Sequence, residues 1–420
     1  MQKMVIEGGR PLAGEVAVSG SKNATLPIMA ACLLAEGECR ISGAPRLTDV
    51  ETLGKVLTEL GADYQRDKNG DIAISVTDES KSTADYDLVR TMRGSICVLG
   101  PLLAKRGYAK VSLPGGCIIG TRPIDLHLRG LQALGAEITC EHGYITAKAK
   151  RLRGTRLYMG GSFGSSVLAT GNVMMAASMA EGQTIIEHAA CEPEIEDLAR
   201  FLIDMGASIE GAGAHRLVIR GVKRLDGAHH NVIPDRIEAG TFLAAAAATR
   251  GKVTVRGAHL EHLAAVLDRL QDAGVKVTAN GGDVRVEPGE LRGAEMTTLP
   301  FPGFPTDMQA QFMAMAATAK GTSTITEKVY PERFTHVGEL SRLGAKISVR
   351  GNVAVVEGVE RLTGATVMAS DLRASAALVI AGLVAEGRTE VRRIYHLDRG
   401  YEDLVGKLSA LGANIRREED

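Results

Sequence analysis

Basic residues stand at the predicted starts of several buried helices, where their charge is unfavourable. Lys22, Arg93, Arg236 and Arg373 each fall at or near the beginning of an apolar segment with helical character. A cation near a helix N-terminus opposes the helix dipole, at a cost of about 0.3 to 1 kcal/mol each. An anion bound by these side chains and by the peptide N–H groups of the helix starts would offset that cost. The pattern therefore predicts a site for phosphate or carboxylate groups.

A structural alternative exists for two of these cations. Asp235 precedes Arg236, and Asp371 lies two residues before Arg373, so each pair could form an internal salt bridge. Lys22 and Arg93 have no acidic neighbour in the sequence. Taken together, the four positions favour the anion site over the salt bridges.

A glycine-rich segment carries a second kind of reactive group. Residues 115–120 contain three glycines together with Cys117, and Arg122 lies five residues beyond the thiol. A guanidinium group and unpaired backbone N–H groups favour the thiolate form of cysteine. Cys117 is therefore a candidate nucleophile, or a general acid that works near neutral pH. The alternative is a small residue tolerated on a surface loop.

One carboxylate and the histidines complete the set of chemically active side chains. Asp307 follows Phe304-Pro305 at a predicted helix start, where the helix dipole favours its ionised form, so it is a candidate general base for a hydroxyl group. The run His259-Leu260-Glu261-His262 lacks the spacing of a metalloprotease helix, and His229-His230 lies in a polar link. All ten histidines are interpreted as structural or surface residues, and no metal site is expected.

The elements that must position these residues recur along the chain. Two series of glycines, each at the end of an apolar helix and before a strand-like run, lie 23 to 28 residues apart in every copy. The first series is Gly37, Gly107, Gly182, Gly251, Gly321 and Gly387, and the second is Gly61, Gly135, Gly206, Gly274, Gly344 and Gly412. Each unit of about 70 residues predicts a buried helix, a strand, an amphipathic helix and two further strands.

Six such units predict an α/β fold with two domains of three units each, in which sheets enclose the helices. The expected boundaries are 22–234 for the first domain and 1–21 with 235–420 for the second. Two facing domains would direct several helix starts into one cleft. A β-helical solenoid is disfavoured because its repeats are much shorter. Chance alignment of common helix-end glycines is the remaining alternative.

Composition excludes several classes of protein. The chain has 49 basic and 50 acidic residues, a formal charge of -1, and no tryptophan, so it lacks the basic field and aromatic surfaces of a nucleic-acid-binding protein. No apolar run approaches the length of a membrane helix, and no secretory signal is apparent, so the cytosol is expected. The six cysteines form no Cys-x-x-Cys pair; five are expected in the core, with Cys117 as the exception.

Several segments resemble the UDP-N-acetylglucosamine 1-carboxyvinyltransferases, a family of enolpyruvyl transferases, and the resemblance runs nearly end to end. The segments are Ser19-Gly20-Ser21-Lys22-Asn23, Leu113-Pro114-Gly115-Gly116-Cys117, Thr121-Arg122-Pro123-Ile124-Asp125-Leu126, Phe304-Pro305-Thr306-Asp307-Met308-Gln309-Ala310-Gln311, Asp371-Leu372-Arg373-Ala374-Ser375 and Asp398-Arg399-Gly400-Tyr401. The resemblance implies an inside-out α/β barrel of two pseudo-threefold domains. It also implies transfer of the enolpyruvyl group of phosphoenolpyruvate to the 3'-hydroxyl of UDP-N-acetylglucosamine, with release of phosphate, as the first committed step of peptidoglycan synthesis.

The resemblance also assigns roles to residues of this chain. It makes Cys117 the acid that protonates the methylene of phosphoenolpyruvate, and it makes Asp307 the group that deprotonates or orients the sugar hydroxyl. The phosphate and carboxylate contacts would be Lys22, Arg122 and Arg399, with Asn23 beside the reacting centre. The contacts to UDP-N-acetylglucosamine would be Arg93, Arg122, Pro123, Ile124, Asp125, Leu126, Ser166, Val167, Asp307 and Val329, and Asp371 and Arg373 would complete the wall of the second domain. It implies no cofactor and no nucleic-acid, membrane or obligate protein partner.

Three residues depart from the family pattern. Leu168 replaces a glycine, Thr48 a lysine found in some members and Cys191 an arginine, and an unusual segment, Gly160-Gly161-Ser162-Phe163-Gly164-Ser165, precedes Leu168. These departures bear on the nucleotide end of the site more than on the transfer chemistry. One alternative is therefore a divergent paralogue with another nucleotide-sugar acceptor. A second is a 5-enolpyruvylshikimate-3-phosphate synthase, disfavoured by the Gly-Gly-Cys segment. A third, from a different functional class, is a catalytically idle nucleotide-sugar sensor.

Overall fold

The computed structural model describes residues 2–115 and 124–419, which form two compact units. Unit A comprises residues 20–115 and 124–233, and unit B comprises residues 2–19 and 234–419. Each unit has its own apolar core. No helix in the described part of the chain has both the length and the apolar character needed to cross a bilayer.

Apart from the short helix α3, the α-helices of the described residues alternate between two kinds, one mostly buried and one amphipathic. They are α1 (Lys22–Ala31), α2 (Thr48–Glu59), α3 (Tyr86–Val89), α4 (Leu99–Arg106), α5 (Asp125–Ala133), α6 (Val167–Ala177), α7 (Pro193–Asp204), α8 (Arg236–Ala248), α9 (Ala264–Asp272), α10 (Gln309–Ala316), α11 (Val337–Arg342), α12 (Leu372–Val384) and α13 (Leu404–Ala410). Short 3₁₀ turns precede several of them, including Arg93–Val98, Leu260–His262, Thr306–Met308 and Ile394–Arg399.

The strands are short, and most of them belong to four-stranded sheets. In the first half of the chain they are β1 (Gln2–Glu7), β2 (Ala13–Ala17), β3 (Ala35–Glu36), β4 (Cys39–Ser42), β5 (Ala62–Arg66), β6 (Ile72–Val76), β7 (Thr83–Ala84), β8 (Tyr108–Ser112), β9 (Glu137–Glu141), β10 (Tyr144–Lys148), β11 (Arg156–Tyr158), β12 (Gly160–Gly161), β13 (Gly164–Ser165) and β14 (Gln183–Glu187). In the second half they are β15 (Ser208–Glu210), β16 (Arg216–Arg220), β17 (Leu225–Asp226), β18 (His229–Asn231), β19 (Lys252–Arg256), β20 (Lys276–Asn280), β21 (Asp283–Glu287), β22 (Glu295–Thr297), β23 (Thr322–Thr326), β24 (Lys346–Arg350), β25 (Val353–Glu357), β26 (Thr366–Met368), β27 (Arg388–Arg392) and β28 (Asn414–Glu419).

Unit A packs its buried helices against one another and against three sheets. Helices α1 and α6 both contact the 3₁₀ turn Arg93–Val98, and α4 contacts α6. The sheets have the strand orders β18-β4-β6-β5, β7-β8-β10-β9 and β11-β14-β16-β15. In each sheet one edge strand pairs in parallel and the other pairings are antiparallel. That parallel edge strand is an element that the sequence pattern did not predict.

Unit B repeats the arrangement with α8, α10 and α12 in mutual contact. Its sheets have the orders β2-β19-β21-β20, β22-β23-β25-β24 and β26-β27-β1-β28. The last sheet contains the start of the chain, because β1 lies between β27 and β28 and pairs antiparallel with both. Met4, Val5 and Ile6 of β1 are fully buried. The N-terminal strand therefore supplies the last strand of the sixth repeat.

The predicted glycine positions have the expected backbone conformation with one exception. All six glycines of the second series have positive φ, as do five of the first series. In the fourth repeat Arg250 has φ 55° instead, and Gly251 is not left-handed. The Gly251 site is crowded, since an added Cβ would lie 2.3 Å from the carbonyl oxygen of Leu12. This glycine is explained by close packing rather than by a helix cap.

Two expectations about single residues were wrong. Cys140 is exposed rather than in the core, because it lies on the sheet-edge strand β9, which is mostly exposed. His230 lies in β18 rather than in a polar link, and it is buried with its Nε2 2.9 Å from Oδ1 of Asp197, which agrees with its interpretation as a structural residue. Burial would lower the pKa of His230, but Asp197 and Asp204 outweigh it, so the pKa is raised.

Candidate functional site

Asp307 in unit B lies against two arginines. Nη1 of Arg333 is 2.8 Å from Oδ1 of Asp307, and Nη2 and Nε of Arg373 are 3.0 and 3.2 Å from Oδ2. The guanidinium groups are almost completely buried, whereas the side chain of Asp307 is 28% exposed. Charge-assisted hydrogen bonds of this kind fix the orientation of a carboxylate and favour its ionised form. Asp307 therefore presents a fixed negative charge to the surface of the unit.

The repeat explains why these three residues meet. Asp307 lies in the 3₁₀ turn before α10, and the following strand, β23, runs back toward the start of that helix. The loop after β23 carries Arg333, and the first turn of the neighbouring buried helix α12 carries Arg373. Helix starts and post-strand loops thus occupy the same end of unit B.

Arg373 also lies over the ring of Tyr401, which is hydrogen-bonded to other buried side chains. Its Cζ lies 5.3 Å from the ring centre of Tyr401, whose hydroxyl contacts Thr241 Oγ1 at 3.0 Å and accepts from Gln311 Nε2 at 3.2 Å. Burial would lower the pKa of Arg373, but Tyr401 and Asp307 outweigh it, so the pKa is raised and the residue stays cationic. Burial also raises the pKa of Tyr401, which is therefore a neutral hydrogen-bonding group.

Asp371 is a helix cap. Its carboxylate accepts from the backbone N–H groups of Arg373 and Ala374, at 2.9 and 3.1 Å, and its side chain is buried at the start of α12. The guanidinium group of Arg373 contacts Asp307. The alternative considered from the sequence, a salt bridge between Asp371 and Arg373, therefore does not explain the position of the Arg373 side chain. Asp235 caps α8 in the same way, accepting from Ile237 and Glu238.

The turn after β23 is organised by a buried glutamate. Glu327 is fully buried, and its carboxylate accepts from Thr298 Oγ1 and from the backbone N–H groups of Val329 and Tyr330. Thr306 Oγ1 donates to the second oxygen at 2.9 Å. Val329 thereby lies in a turn with a fixed backbone.

In unit A, Lys22 pairs with a carboxylate distant in sequence. Lys22 is the first residue of α1, which Ser21 caps by accepting from Ala24 N at 3.3 Å. The Nζ atom of Lys22 lies 3.3 Å from Oδ2 of Asp49, in the first turn of α2, and both residues are buried. Lys22 therefore has an acidic partner that adjacency in the sequence did not show. Asn23 follows it and is half-buried.

The start of α6 holds the predicted nucleotide contacts Ser166 and Val167. Ser166 is the N-cap, and its Oγ accepts from Ala169 N at 3.4 Å. Before it, β12 and β13 form a short hairpin whose tip contains Phe163, which is 49% exposed. Leu168, in the first turn of α6, is half-buried.

The departure at Cys191 has a local partner. Its Sγ lies 3.2 Å from Nδ1 of His215, and the residue is buried just before α7. Burial, with a smaller contribution from Glu192, raises the pKa of the thiol. Cys191 is therefore a neutral, poorly nucleophilic residue.

The remaining predicted residues have mixed positions. Arg93 begins the 3₁₀ turn before α4, and Arg399 ends the turn before α13, and both are half-buried. Ile124, Asp125 and Leu126 form the start of α5, with Asp125 exposed and Leu126 buried. Cys117, Arg122 and Pro123 lie outside the described residues.

Three residues at these sites were missed by the sequence interpretation: Asp49, Glu327 and Arg333. Each lies in or just after the loop that follows a repeat strand, at the end where the buried helices begin. Comparison of helix starts alone could not find them.

One side-chain cluster among the described residues has metal-binding groups. The ligand atoms of His259, Glu261 and His262 lie within 4.8 Å of one another. Two ligands each about 2.1 Å from a zinc ion are at most about 4.2 Å apart, so 4.8 Å is a loose limit. His259 and Glu261 are exposed on the surface of unit B, away from Asp307 in the sequence.

Comparisons with known proteins identify the family of this chain. A family model described as EPSP synthase (3-phosphoshikimate 1-carboxyvinyltransferase) matches residues 6–408. The chain is 55% identical over 421 residues to the UDP-N-acetylglucosamine 1-carboxyvinyltransferase of Methylacidiphilum infernorum (isolate V4), covering 99% of both proteins. It is 54% identical over 422 residues to the protein of that name from Geotalea uraniireducens (strain Rf4), covering 100% of both.

Solved structures show the same fold. The enolpyruvyl transferase NikO from Streptomyces tendae superposes with a TM-score of 0.89 at 28% identity, covering 99% of this chain and 98% of that one. An EPSP synthase from Acinetobacter baumannii gives a TM-score of 0.76 at 18% identity, covering 100% of both chains, which shows the fold alone. The chain therefore belongs to the EPSP synthase family of enolpyruvyl transferases, and within it to the UDP-N-acetylglucosamine 1-carboxyvinyltransferases.

Proposed function

We propose that this protein transfers the enolpyruvyl group of phosphoenolpyruvate to the 3'-hydroxyl of UDP-N-acetylglucosamine and releases phosphate. This reaction is the first committed step of peptidoglycan synthesis. The observation that carries the proposal is identity of 54 to 55% over the whole chain with two relatives of that name. The α/β units, with buried helices and sheets around them, support an inside-out barrel in each.

The proposed chemistry is addition followed by elimination. The sugar oxygen forms a bond to C2 of phosphoenolpyruvate while its proton leaves, and the thiol of Cys117 donates a proton to the C3 methylene. Loss of a C3 proton then restores the double bond as the C2–O bond to phosphate breaks. Positive charge develops at C2 in the first step, so fixed negative charge nearby stabilises the transition state.

Residues of unit A are proposed to bind the three-carbon substrate and part of the acceptor. Lys22, held by Asp49, would bind the anionic groups together with Arg122, and Asn23 would lie beside the reacting carbon. The contact with Asp49 fixes the ammonium group of Lys22 at the start of α1. The acceptor contacts in this unit would be Arg93, Arg122, Pro123, Ile124, Asp125, Leu126, Ser166 and Val167.

Residues of unit B are proposed to act on the acceptor hydroxyl. The Asp307 carboxylate, fixed by Arg333 and Arg373, would accept the hydroxyl hydrogen, and Val329 would contact the nucleotide sugar. Arg399 would bind phosphoenolpyruvate. Asp371 would keep Arg373 at the start of α12.

An acceptor screen tests the proposal. Purified protein is incubated with phosphoenolpyruvate and one of UDP-N-acetylglucosamine, other nucleotide sugars or shikimate 3-phosphate, and phosphate release is measured. We expect release with UDP-N-acetylglucosamine. Release only with another nucleotide sugar would indicate the divergent paralogue. In that case Leu168 and the β12–β13 hairpin would be the first residues to test for a change of acceptor specificity. Release with shikimate 3-phosphate alone would reject the proposal, and binding without release would indicate a sensor.

A further inference from the structure

Glu327 is a fully buried carboxylate for which the proposed chemistry has no direct use. Its Oε1 accepts from Thr298 Oγ1 at 2.6 Å, Val329 N at 2.8 Å and Tyr330 N at 2.9 Å, and its Oε2 accepts from Thr306 Oγ1 at 2.9 Å. Burial of a carboxylate is unfavourable unless such donors compensate for the lost water. Buried charged networks can often be replaced by apolar residues without loss of stability. Stability alone therefore does not account for this residue.

Glu327 fixes the orientation of two peptide groups in the turn. The N–H groups of Val329 and Tyr330 point toward its Oε1. In a trans peptide the C=O group points opposite to the N–H group of the same unit. The carbonyl groups of Lys328 and Val329 are therefore directed away from the carboxylate, which makes that of Val329 available as a fixed acceptor.

A second line of contacts connects Glu327 to Asp307. Nη1 of Arg333 donates to Thr306 Oγ1 at 3.0 Å and to Asp307 Oδ1 at 2.8 Å. Because arginine only donates, the single proton of the Thr306 hydroxyl is free to be donated to Glu327. Arg333 therefore donates to Thr306, and Thr306 donates to Glu327. Through this chain of hydrogen bonds, Glu327 helps to fix the orientation of the Arg333 side chain.

We infer that Glu327 is a positioning residue for acceptor recognition, which holds both the Val329 turn and, through Thr306 and Arg333, the Asp307 carboxylate. The inference rests on the proposed function, because Val329 and Asp307 are the unit B residues proposed to contact UDP-N-acetylglucosamine. Glu327 itself does not touch substrate. Its role predicts an effect on the acceptor and little effect on phosphoenolpyruvate.

The test is steady-state kinetics of Glu327→Gln with each substrate varied in turn. Glutamine keeps the size of the side chain and one oxygen for the two backbone N–H groups, but its amide nitrogen donates to Thr306 and reverses that hydrogen bond. We expect the KM for UDP-N-acetylglucosamine to rise about tenfold, the effect of losing one charge-assisted hydrogen bond. The KM for phosphoenolpyruvate should stay within about twofold, a change of less than one hydrogen bond.

Two threonine variants separate positioning from general destabilisation. Thr306→Val removes only the connection between Glu327 and Arg333, and we expect it to raise the KM for the acceptor in the same direction. Thr249→Val is the matched control, because Thr249 is also buried in unit B, where its hydroxyl accepts from Leu12 N at the far end of α8. It should lower the melting temperature without changing either KM.

The outcomes distinguish this inference from the function on which it rests. Wild-type turnover together with unchanged kinetics of Glu327→Gln and Thr306→Val would overturn the positioning role alone. Equal increases of both KM values, or the same kinetic change in Thr249→Val, would also overturn it, since the effect would then be specific neither to the acceptor nor to the contacts of Glu327. Absence of wild-type turnover and of calorimetric binding of UDP-N-acetylglucosamine would overturn both.

Discussion

Asp307 shows how a residue identified by type acquires a role from its surroundings. The sequence predicted a carboxylate at a helix start, and the structure adds two buried guanidinium groups on its two oxygens. With both partners fixed, the carboxylate has one orientation and a lasting negative charge. That arrangement suits either deprotonation or orientation of a hydroxyl group, and both were left open by the sequence.

Asp307→Asn tests the role of this charge. We expect kcat to fall at least about 100-fold, the lower range for loss of a general base. The variant should also unfold with a free energy about 3 kcal/mol lower, because Arg333 and Arg373 lose their carboxylate while buried. Kinetics and urea denaturation measure the two effects. Unchanged kcat in a folded variant would contradict the proposed role.

The role of Cys117 is proposed from the sequence alone, because this residue lies outside the described residues. Its proposed role as acid predicts that Cys117→Ser lowers kcat by at least about 100-fold, since an alcohol is a much weaker acid than a thiol. Cys117→Asp, which restores an acidic proton, should retain more activity than the serine variant. Measurement of phosphate release by both variants decides the matter. Full activity of Cys117→Ser would remove the acid role.

At the scale of elements, the repeat made the site partly predictable. Buried helices start at Lys22, Arg236 and Leu372, at or next to the cations that the sequence placed at helix starts, because the Ala-rich pattern and the glycine ends define such helices well. The partners Asp49 and Arg333 were not predictable in this way. They come from post-strand loops, and which loop residue points at a helix start depends on packing rather than on periodicity.

The loop after β23 also predicts a pH dependence of stability. His336 is 2% exposed, and burial lowers its pKa to about 4, with Asp371 opposing this and Arg333 adding to it. Between pH 6.5 and pH 4, His336 is therefore protonated in the unfolded state and neutral in the folded state. Protonation favours the unfolded state, so the free energy of unfolding decreases as the pH falls through that range. From pH 7.5 to pH 5 this contributes about 2 kcal/mol.

Urea denaturation of the wild type and of His336→Gln at pH 7.5 and pH 5 measures this contribution. We expect the wild type to lose about 2 kcal/mol more than the variant on acidification. His230, whose pKa is raised, favours the folded state at low pH, but it contributes equally to both proteins and cancels. An identical loss in the two proteins would show that His336 does not titrate as described.

At the scale of the whole molecule, one sheet combines strands from the two ends of the chain. The sixth repeat lacks its last strand in sequence, and β1 from the start of the chain provides it by pairing with β27 and β28. Periodicity could not predict this, because β1 lies at the opposite end of the sequence from β27 and β28, outside the sixth repeat. The expectation of six repeats, in contrast, came from the spacing of the glycines alone.

The central claim is that this protein joins an enolpyruvyl group to UDP-N-acetylglucosamine. Mass spectrometry of the nucleotide sugar after incubation with phosphoenolpyruvate, with phosphate assayed in the same samples, tests it most directly. We predict a product that carries one enolpyruvyl group, with one phosphate released per product and neither formed when one substrate is omitted. Unmodified UDP-N-acetylglucosamine after prolonged incubation with folded protein would contradict the claim.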